Sequence, residues 1–307
     1  MLCTGSAFAE KGSVMKKKAA MAVILSGVLW GVISIFIKTL SAAGLSSLQI
    51  AMIRMTTAAL IFTSVIAVKS PEKLKIKLKD IWMFVGTGIV SVVMFNTCYF
   101  YTMINSQASV AVVLLYTSPV FIMLLSALIY KERITVKKLI ALVLTFGGCV
   151  LVTGLMGGGY KIQPMILLTG LGAGLFYGLY TIFGRAALKK YDTVTVTVYT
   201  FIFAMLGSIP MGHAADTARI IKLNPTLVLW CIGIGIVSTV LPYFLYTWGL
   251  QRMESGRAAI LVAVEPMVGA VLGMTFFGEP HNVLKLVGIA LILCTIVILS
   301  IGEESEK

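Results

Sequence analysis

Apolar residues fall in ten blocks along the chain, and short clusters of charged and polar residues separate each block from the next. Each block is about 20 residues long, the length at which an α-helix crosses the ~30 Å hydrocarbon core of a bilayer. The pattern therefore predicts an all-α integral membrane protein with ten transmembrane helices. The predicted spans are 19–40, 46–68, 81–103, 107–130, 138–155, 163–184, 193–212, 225–249, 257–277 and 283–301.

The composition favours the same class of protein. Hydrophobic residues make up 59% of the 307 residues and charged residues 12%, with a mean hydropathy of +0.99, which excludes an ordinary soluble domain. The formal net charge of +13 lies in patches between apolar blocks, where membrane orientation explains it, so no nucleic-acid partner is predicted. Met1 to Val14 lack an apolar core of signal-peptide length, and Met15 is an alternative start.

The chain contains an internal duplication with a constant offset of 147 residues. The segment GTGIVSVV at 86–93 returns as GIGIVSTV at 233–240 without a gap. Less common residue types keep the same register, namely Tyr99 with Tyr246, Pro119 with Pro266, and Glu132 with Glu279. A gap-free match that carries Pro, Glu, Tyr and paired Gly indicates two copies of one structural unit.

Each copy contains five predicted spans, and an odd number of crossings forces the second copy to sit upside down in the bilayer. With a cytoplasmic N-terminus, 19 of the 25 Lys and Arg fall on the cytoplasmic side, so both termini are predicted there. The predicted organisation is two inverted five-helix repeats. Its parts are a cytoplasmic segment 1–18, a first repeat 19–155, a connector 156–162, a second repeat 163–301 and a cytoplasmic tail 302–307.

Glycines and prolines recur at equivalent places in the two copies. Glycines four residues apart put a smooth face on the first and sixth spans, which allows close helix packing in lipid: Gly27 and Gly31, and Gly174 and Gly178. Pro119 and Pro266 lie within the fourth and ninth spans, where each removes a backbone donor and releases the carbonyl of Leu115 or Val262. Such helix breaks either point to a central site or only shape the packing.

Several motifs resemble the ten-helix EamA-type members of the drug/metabolite transporter superfamily, over about residues 19–301. They are Gly27-x-x-Trp30-Gly31 with Lys38, Arg54 in the second span, Ala108 to Pro119 to Glu132, and Ala258 to Glu265-Pro266 to Gly278-Glu279. The resemblance implies transport of small metabolites, often export of amino acids or related compounds. The sequence departs from a symmetric pattern in one respect, because Phe201 stands in the second copy where the first has Arg54.

Two ionisable residues lie deep within predicted spans. Glu265 is near the middle of the ninth span, where an ionised carboxylate is costly unless it faces protein or water or is protonated. It is either a substrate or proton-coupling site, or a structural acid beside the Pro266 break. Arg54 either attracts an anionic substrate group or Glu265, or it binds helix-end carbonyls. Lys38 and Arg185 lie near span ends and are predicted to be interfacial anchors.

Aromatic and amide side chains form a third group of candidates. The offset pairs Asn96 with Tyr243, Tyr99 with Tyr246, and Trp30 with Tyr177, so an inverted repeat would bring the members of each pair together near the midplane. They either line a cavity for small zwitterionic or amphipathic solutes, or they are belt and packing aromatics. The complete set of predicted cavity residues is Trp30, Ser34, Arg54, Asn96, Tyr99, Tyr116, Tyr177, Tyr243, Tyr246 and Glu265.

No metal site or cofactor is predicted. His213 and His281 lack a second ligand at metal spacing, and four of the five cysteines lie in apolar blocks without a CxxC motif. The run Gly157 to Gly159 is not followed by the GK[ST] signature of a phosphate-binding loop.

The sequence thus predicts a secondary transporter of the inner or plasma membrane rather than an enzyme. It would move a small organic solute by alternating access, and the resemblance implies export. The energy source is proton exchange, substrate exchange or the solute gradient, so protons are one candidate partner besides the lipid bilayer. A channel is the first alternative, and saturable flux with counterflow would favour a carrier. An integral-membrane enzyme is a second alternative, although it requires several ionisable residues at one depth. These patterns indicate neither the substrate nor the oligomeric state.

Overall fold

The computed structural model describes residues 3–106, 108–153, 163–276, 278 and 283–301. Within these ranges every regular element is helical. The predicted connector 156–162, the tail 302–307, the run Gly157 to Gly159, Glu279 and His281 lie outside the described residues.

The first half of the chain forms eight α-helices. They are α1 (Cys3–Gly31), α2 (Ile33–Ala42), α3 (Ser47–Lys69), α4 (Ile81–Val85), α5 (Met94–Asn105), α6 (Ala108–Leu115), α7 (Ser118–Tyr130) and α8 (Val136–Thr153). A π-helical segment, Gly86–Val93, joins α4 to α5, so these elements form one long helical rod.

The second half also forms eight α-helices. They are α9 (Pro164–Leu188), α10 (Thr193–Ser208), α11 (Ala214–Leu223), α12 (Leu227–Gly235), α13 (Leu241–Leu250), α14 (Ser255–Leu261), α15 (Glu265–Phe276) and α16 (Val283–Ile301). A second π-helical segment, Ile236–Val240, joins α12 to α13 at positions that match the first π segment under the 147-residue offset.

Among the described residues, eight helical stretches are long and apolar enough to cross a membrane. They are Val14–Ala42, Ser47–Lys69, Leu78–Asn105, Val110–Tyr130, Val136–Thr153, Pro164–Leu188, Leu227–Leu250 and Ser255–Phe276. Two further apolar helices are shorter, Thr193–Ser208 and Val283–Leu299, and they fall on the predicted seventh and tenth spans. The seventh predicted span, 193–212, was too long at its end, because α10 stops at Ser208.

Two spans are interrupted at their prolines. The first interruption separates α6 from α7 at Tyr116 and Thr117, and Pro119 stands in the first turn of α7. The second is a 3₁₀ segment, Val262–Val264, followed by Glu265 and Pro266 at the start of α15. The prediction that Pro266 releases the Val262 carbonyl was wrong, because the Glu265 N–H donates to this carbonyl within the 3₁₀ turn.

Helix α11 was not predicted from the sequence. Its Asp216, Arg219 and Lys222 give it the composition of a polar connector, but Ile220 and Ile221 pack against a buried cluster that includes Leu40. The helix is amphipathic and lies against the ends of neighbouring helices, where an apolar face stabilises even a short helix.

The interior is built around two long rods, α1 and α9. Helix α1 packs against α13, α14 and α15, and α9 packs against α5, α6 and α7. Polar side chains within the helices form hydrogen bonds to the backbone of the same helix. Thr97 and Thr200, for example, donate to backbone carbonyls four residues earlier. Helices α8 and α16 pack against each other.

Candidate functional site

A cavity of about 580 Å³, open solvent included, lies between α1, α2, α3, α5, α6, α9, α13 and α15. Its wall combines one acidic, one basic and one amide side chain with aromatic and aliphatic groups. The lining residues are Trp30, Ile33, Ile37, Arg54, Phe95, Asn96, Tyr99, Phe100, Leu115, Tyr177, Tyr243 and Glu265. This mixture of mainly apolar surface and a few polar groups is typical of a small-molecule site.

Arg54 and Glu265 bring opposite charges to this cavity from different parts of the chain. The Arg54 Nε donates to the Thr239 Oγ1 at 3.2 Å, which fixes the guanidinium against the second π segment. The two charges are near enough to interact electrostatically, yet no ion pair joins these two described side chains. A solute that carries both charges therefore meets a complementary partner for each of them.

Aromatic rings form the floor of the cavity. The Trp30 ring lies edge-on to Tyr243, with centroids 4.9 Å apart, and also contacts Tyr246 at 5.7 Å and Tyr177 at 6.4 Å. Phe95 stands edge-on to Tyr177 at 5.2 Å. All but the tilted contact of Trp30 with Tyr246 are edge-to-face, a geometry that aromatic pairs prefer and that stabilises their packing.

A second and smaller pocket, of about 280 Å³ with open solvent included, lies on the other side of this aromatic floor. Ser91, Tyr180, Thr181 and Tyr246 line it together with the shared rings of the floor. Two hydrogen bonds close its wall, one between the Tyr180 and Thr247 hydroxyls at 2.6 Å and one between the Thr181 and Tyr246 hydroxyls at 2.7 Å.

The structure brings most of the predicted cavity residues together. Trp30, Arg54, Asn96, Tyr99, Tyr177, Tyr243 and Glu265 line the larger cavity. Tyr246 lines the smaller pocket, so Tyr99 and Tyr246 do not share one cavity. Of the three offset pairs, Trp30 and Tyr177 are in ring contact, and Asn96 and Tyr243 line one wall. The Asn96 Nδ2 donates to the Val92 carbonyl at 2.6 Å, so this bond does not use the amide oxygen of Asn96 as an acceptor.

Two predicted residues, Tyr116 and Ser34, do not line either pocket. Tyr116 is buried in the interruption between α6 and α7, with its hydroxyl beside the Glu265 carboxylate but outside strict hydrogen-bond geometry. The Ser34 hydroxyl donates to the Gly31 carbonyl at 3.3 Å. Ser34 therefore stabilises the turn between α1 and α2, whereas its counterpart under the offset, Thr181, does line the smaller pocket.

Other residues of the site were missed in the sequence analysis. Ser91, Phe95 and Phe100 line the pockets from the same rod as Asn96 and Tyr99. Helical spacing could have identified Phe95, which lies four residues before Tyr99 and contacts its ring at 5.7 Å. Arg185 was predicted to be an interfacial anchor, and the sequence analysis missed that its guanidinium pairs with Glu132. Its position relative to the membrane interface stays a prediction.

Metal coordination has no support in the part of the chain that the structure describes. No group of three or more His, Cys, Asp or Glu side chains comes together among these residues.

Comparison with known proteins gives a consistent assignment. The model of the EamA-like transporter family matches twice, at residues 17–154 and 164–301. An uncharacterized transporter of Archaeoglobus fulgidus is 29% identical over 287 residues, which cover 90% of this chain and 94% of that protein. The threonine/homoserine exporter RhtA of Salmonella typhimurium is 31% identical over 138 residues, 43% of each chain.

A solved crystal structure shares the fold, with a TM-score of 0.75 at 15% identity, and covers 95% of this chain and 99% of that one. The helices described above make the chain a multi-pass membrane protein. Because the family model matches almost the whole length in two consecutive copies, the chain belongs to the EamA-like transporter family.

Proposed function

We propose that this protein is a secondary transporter that exports small zwitterionic metabolites such as amino acids. The observation that carries this proposal is the cavity that holds Arg54 and Glu265 without an ion pair between them. A free amino acid has a carboxylate for Arg54 and an ammonium group for Glu265, while the aromatic floor at Trp30 contacts its side chain. The similarity to a threonine/homoserine exporter supports the same class of substrate.

We further propose ten transmembrane helices arranged as two inverted five-helix repeats, 19–155 and 163–301, with both termini in the cytoplasm. Reciprocal packing supports the repeats. A Cβ built on Gly86 would lie 2.6 Å from the Phe183 ring, and one built on Gly233 would lie 2.7 Å from the Phe36 ring. Adding 147 to the number of Gly86 gives Gly233, and subtracting 147 from that of Phe183 gives Phe36. The two contacts are therefore equivalent under the offset. The bias of Lys and Arg supports the orientation.

Alternating access follows from this arrangement. The larger cavity is lined by Ile33 and Ile37 beyond Trp30 on the first span. In the proposed orientation it therefore faces the side of the membrane opposite the N-terminus. The smaller pocket is lined by Tyr180 and Thr181 beyond Tyr177 on the sixth span. In the proposed orientation it therefore faces the cytoplasm. Rocking of the two repeats would enlarge one pocket while it closes the other. Glu265 permits coupling to protons.

Flux measurements in proteoliposomes test this function. Labelled threonine trapped with the purified protein should exchange with external unlabelled threonine, saturate with concentration and show counterflow. Arg54→Gln should reduce this exchange at least about tenfold, because a charge-assisted hydrogen bond contributes about 1.5–3 kcal/mol. Arg219→Gln, the same substitution on the exposed α11, is the matched control and should leave the exchange unchanged.

Two other outcomes would redirect the proposal. Unsaturable flux with unitary currents would indicate a channel. Saturable exchange of cations or anions alone, with no exchange of zwitterions across a panel of amino acids, would contradict the role given to the pair of Arg54 and Glu265.

A further inference from the structure

A polar cluster ties the two halves of the chain together on the membrane face beyond the smaller pocket. The Glu132 carboxylate accepts the Ser255 N–H at 3.0 Å and the Gly256 N–H at 3.3 Å, and it forms an ion pair with the Arg185 Nη1 at 2.5 Å. The Arg185 guanidinium also donates to the Ser255 Oγ at 3.0 Å. Glu132 belongs to the first half, whereas Arg185, Ser255 and Gly256 belong to the second.

The cluster is built into the protein rather than lying free on its surface. Only 7% of the Glu132 side chain is exposed. Lys131 ends α7 in the left-handed conformation, with a φ of 56°, which turns the chain between α7 and Glu132. The neighbouring Tyr130 hydroxyl donates to the Ile182 carbonyl at 2.5 Å, and the Arg185 guanidinium lies over the Tyr130 ring at 5.3 Å.

The same cluster lies about one helical turn from a residue that lines the smaller pocket. Arg185 follows Thr181 by four residues on α9, so the two side chains share one helix face. Glu132 is near enough to Tyr246 to interact with it electrostatically, and both Thr181 and Tyr246 line the pocket. The cluster therefore lies where a solute would pass between this pocket and the membrane face.

The smaller pocket contains a polar group without a partner. The Ser91 hydroxyl lines the pocket, its residue is 1% exposed, and no hydrogen bond within the described part of the chain satisfies it. A buried hydroxyl without a hydrogen-bond partner destabilises the state in which it is buried. Water or a polar solute that enters the pocket would supply this hydrogen bond and remove that cost. This cost is consistent with a pocket that opens during the working cycle.

We propose that the Glu132, Arg185, Ser255 and Gly256 cluster is the cytoplasmic gate of the transporter, and that opening it exposes the Ser91 pocket as the inner binding vestibule. The inference rests on the alternating access proposed above. Separating Glu132 from Arg185 and from the backbone of α14 breaks the link between the two halves at this point. The aromatic floor at Trp30 then becomes the barrier toward the opposite face.

Thiol labelling tests the gate without knowledge of the substrate. In a background without the five native cysteines, Ser91→Cys is probed with a membrane-impermeant thiol reagent from the cytoplasmic face, in inside-out vesicles. Tyr99→Cys, in the larger cavity, is probed from the opposite face, in right-side-out vesicles. Glu132→Gln should accelerate labelling of position 91 at least about tenfold and slow labelling of position 99, since charge-assisted bonds that hold one state shift the populations by such factors.

The control is a second ion pair that also joins the two halves, between Lys73 and Asp192 at 3.0 Å, but lies outside the pocket wall and is more than a third exposed. Lys73→Gln should change both labelling rates by less than about twofold, because exposed ion pairs contribute little. Arg185→Gln should act in the same direction as Glu132→Gln, and it alone decides the test if Glu132→Gln is not monodisperse after purification.

Three results would overturn the gate. The first is an unchanged labelling rate at position 91 in a folded Glu132 or Arg185 variant. The second is an equal increase of this rate in Lys73→Gln. The third is a faster rate at position 91 without a slower rate at position 99, which would indicate local loosening alone. Because labelling does not depend on any solute, a failed threonine exchange assay with the expected labelling would reject the substrate and keep the gate.

Discussion

The carbonyl oxygen of Val262 lies only 2.5 Å from the position that a Cβ atom on Gly27 would occupy. Under the 147-residue offset the same relationship returns between Gly174 and Leu115, whose carbonyl would lie 3.3 Å from an added Cβ. Each interrupted span is therefore packed against a glycine on a long rod from the other half of the chain. The interruptions are held in place by tertiary packing as well as by their prolines.

Gly27→Ala should destabilise the protein. The added methyl group would overlap the Val262 carbonyl, and overpacking of this kind costs about 1–3 kcal/mol. Gly147→Ala on α8 is the matched control, because nothing lies within 4 Å of its added Cβ. The control should be neutral or stabilising, since alanine favours helix by about 1 kcal/mol over glycine. Thermal unfolding in detergent measures both, and an equal midpoint for the two variants would contradict the close packing at Gly27.

Much of the fold could be predicted because the information lies in long apolar blocks and in the repeat. The periodic signal could not reveal the π segments, since Gly86–Val93 is apolar whether its backbone is α or π. It could not reveal α11 either, because a ten-residue helix with charges on one face resembles a polar connector until Ile220 and Ile221 find their tertiary contacts.

The candidate cavity was predictable to the extent that the offset pairs its residues. Trp30 and Tyr177 meet because the repeat relates the rods that carry them. Tyr99 and Tyr246 were expected in one cavity but line different pockets. The offset identifies which residues correspond, but it does not determine how the helices that carry them pack. The pairing of Arg185 with Glu132 joins residues 53 positions apart, and no local pattern encodes such a contact.

Asp192 should contribute to stability through its cap on α10. Its carboxylate accepts the Thr195 N–H at 2.8 Å, and Asp192→Ala should cost about 1 kcal/mol, whereas Asp192→Asn retains an acceptor. Burial alone would raise the pKa of Asp192, but hydrogen bonds from Thr195 and Lys73 outweigh it and hold the pKa below its usual value.

The sign of the pH dependence follows from that lowered pKa. The charge contributes stability above the unfolded carboxyl pKa of about 3.9, and the contribution is lost as pH falls through the folded value. The thermal midpoints of the unmodified protein and Asp192→Asn should differ at pH 7 and approach each other as the pH falls below about 3.9. A difference that stays constant over this range would show that the charge of Asp192 adds no stability.

Phe201 occupies the position in the second half that Arg54 occupies in the first. It is fully buried, with its ring stacked on Phe62 at 6.1 Å and edge-on to Tyr243 at 4.9 Å. Phe201→Ala should destabilise the protein by about 3–5 kcal/mol because it leaves a void beside the cavity wall. Phe276→Ala, at a ring that is 72% exposed, is the control and should cost much less. Similar losses in both variants would show that Phe201 does not support Tyr243.

Glu265→Gln should separate charge from shape in the cavity. The amide keeps the size of the side chain but cannot ionise, so it loses the attraction to an ammonium group and any exchange of protons with the solute. Threonine exchange in proteoliposomes should fall at least about tenfold, and the remaining exchange should lose any dependence on pH that the ionisation of Glu265 provides.

The control for this last variant is Glu72→Gln, an exposed acid in the connector between α3 and α4, which should keep both the rate and the pH profile. Tyr116→Phe adds a second comparison, because its hydroxyl lies beside the Glu265 carboxylate and its removal should shift the pH profile without abolishing exchange. Full activity of Glu265→Gln with an unchanged pH profile would exclude Glu265 from both substrate binding and proton coupling. In that case Glu265 would be a structural acid at the interruption before α15, and Arg54 would be the charge that selects the solute.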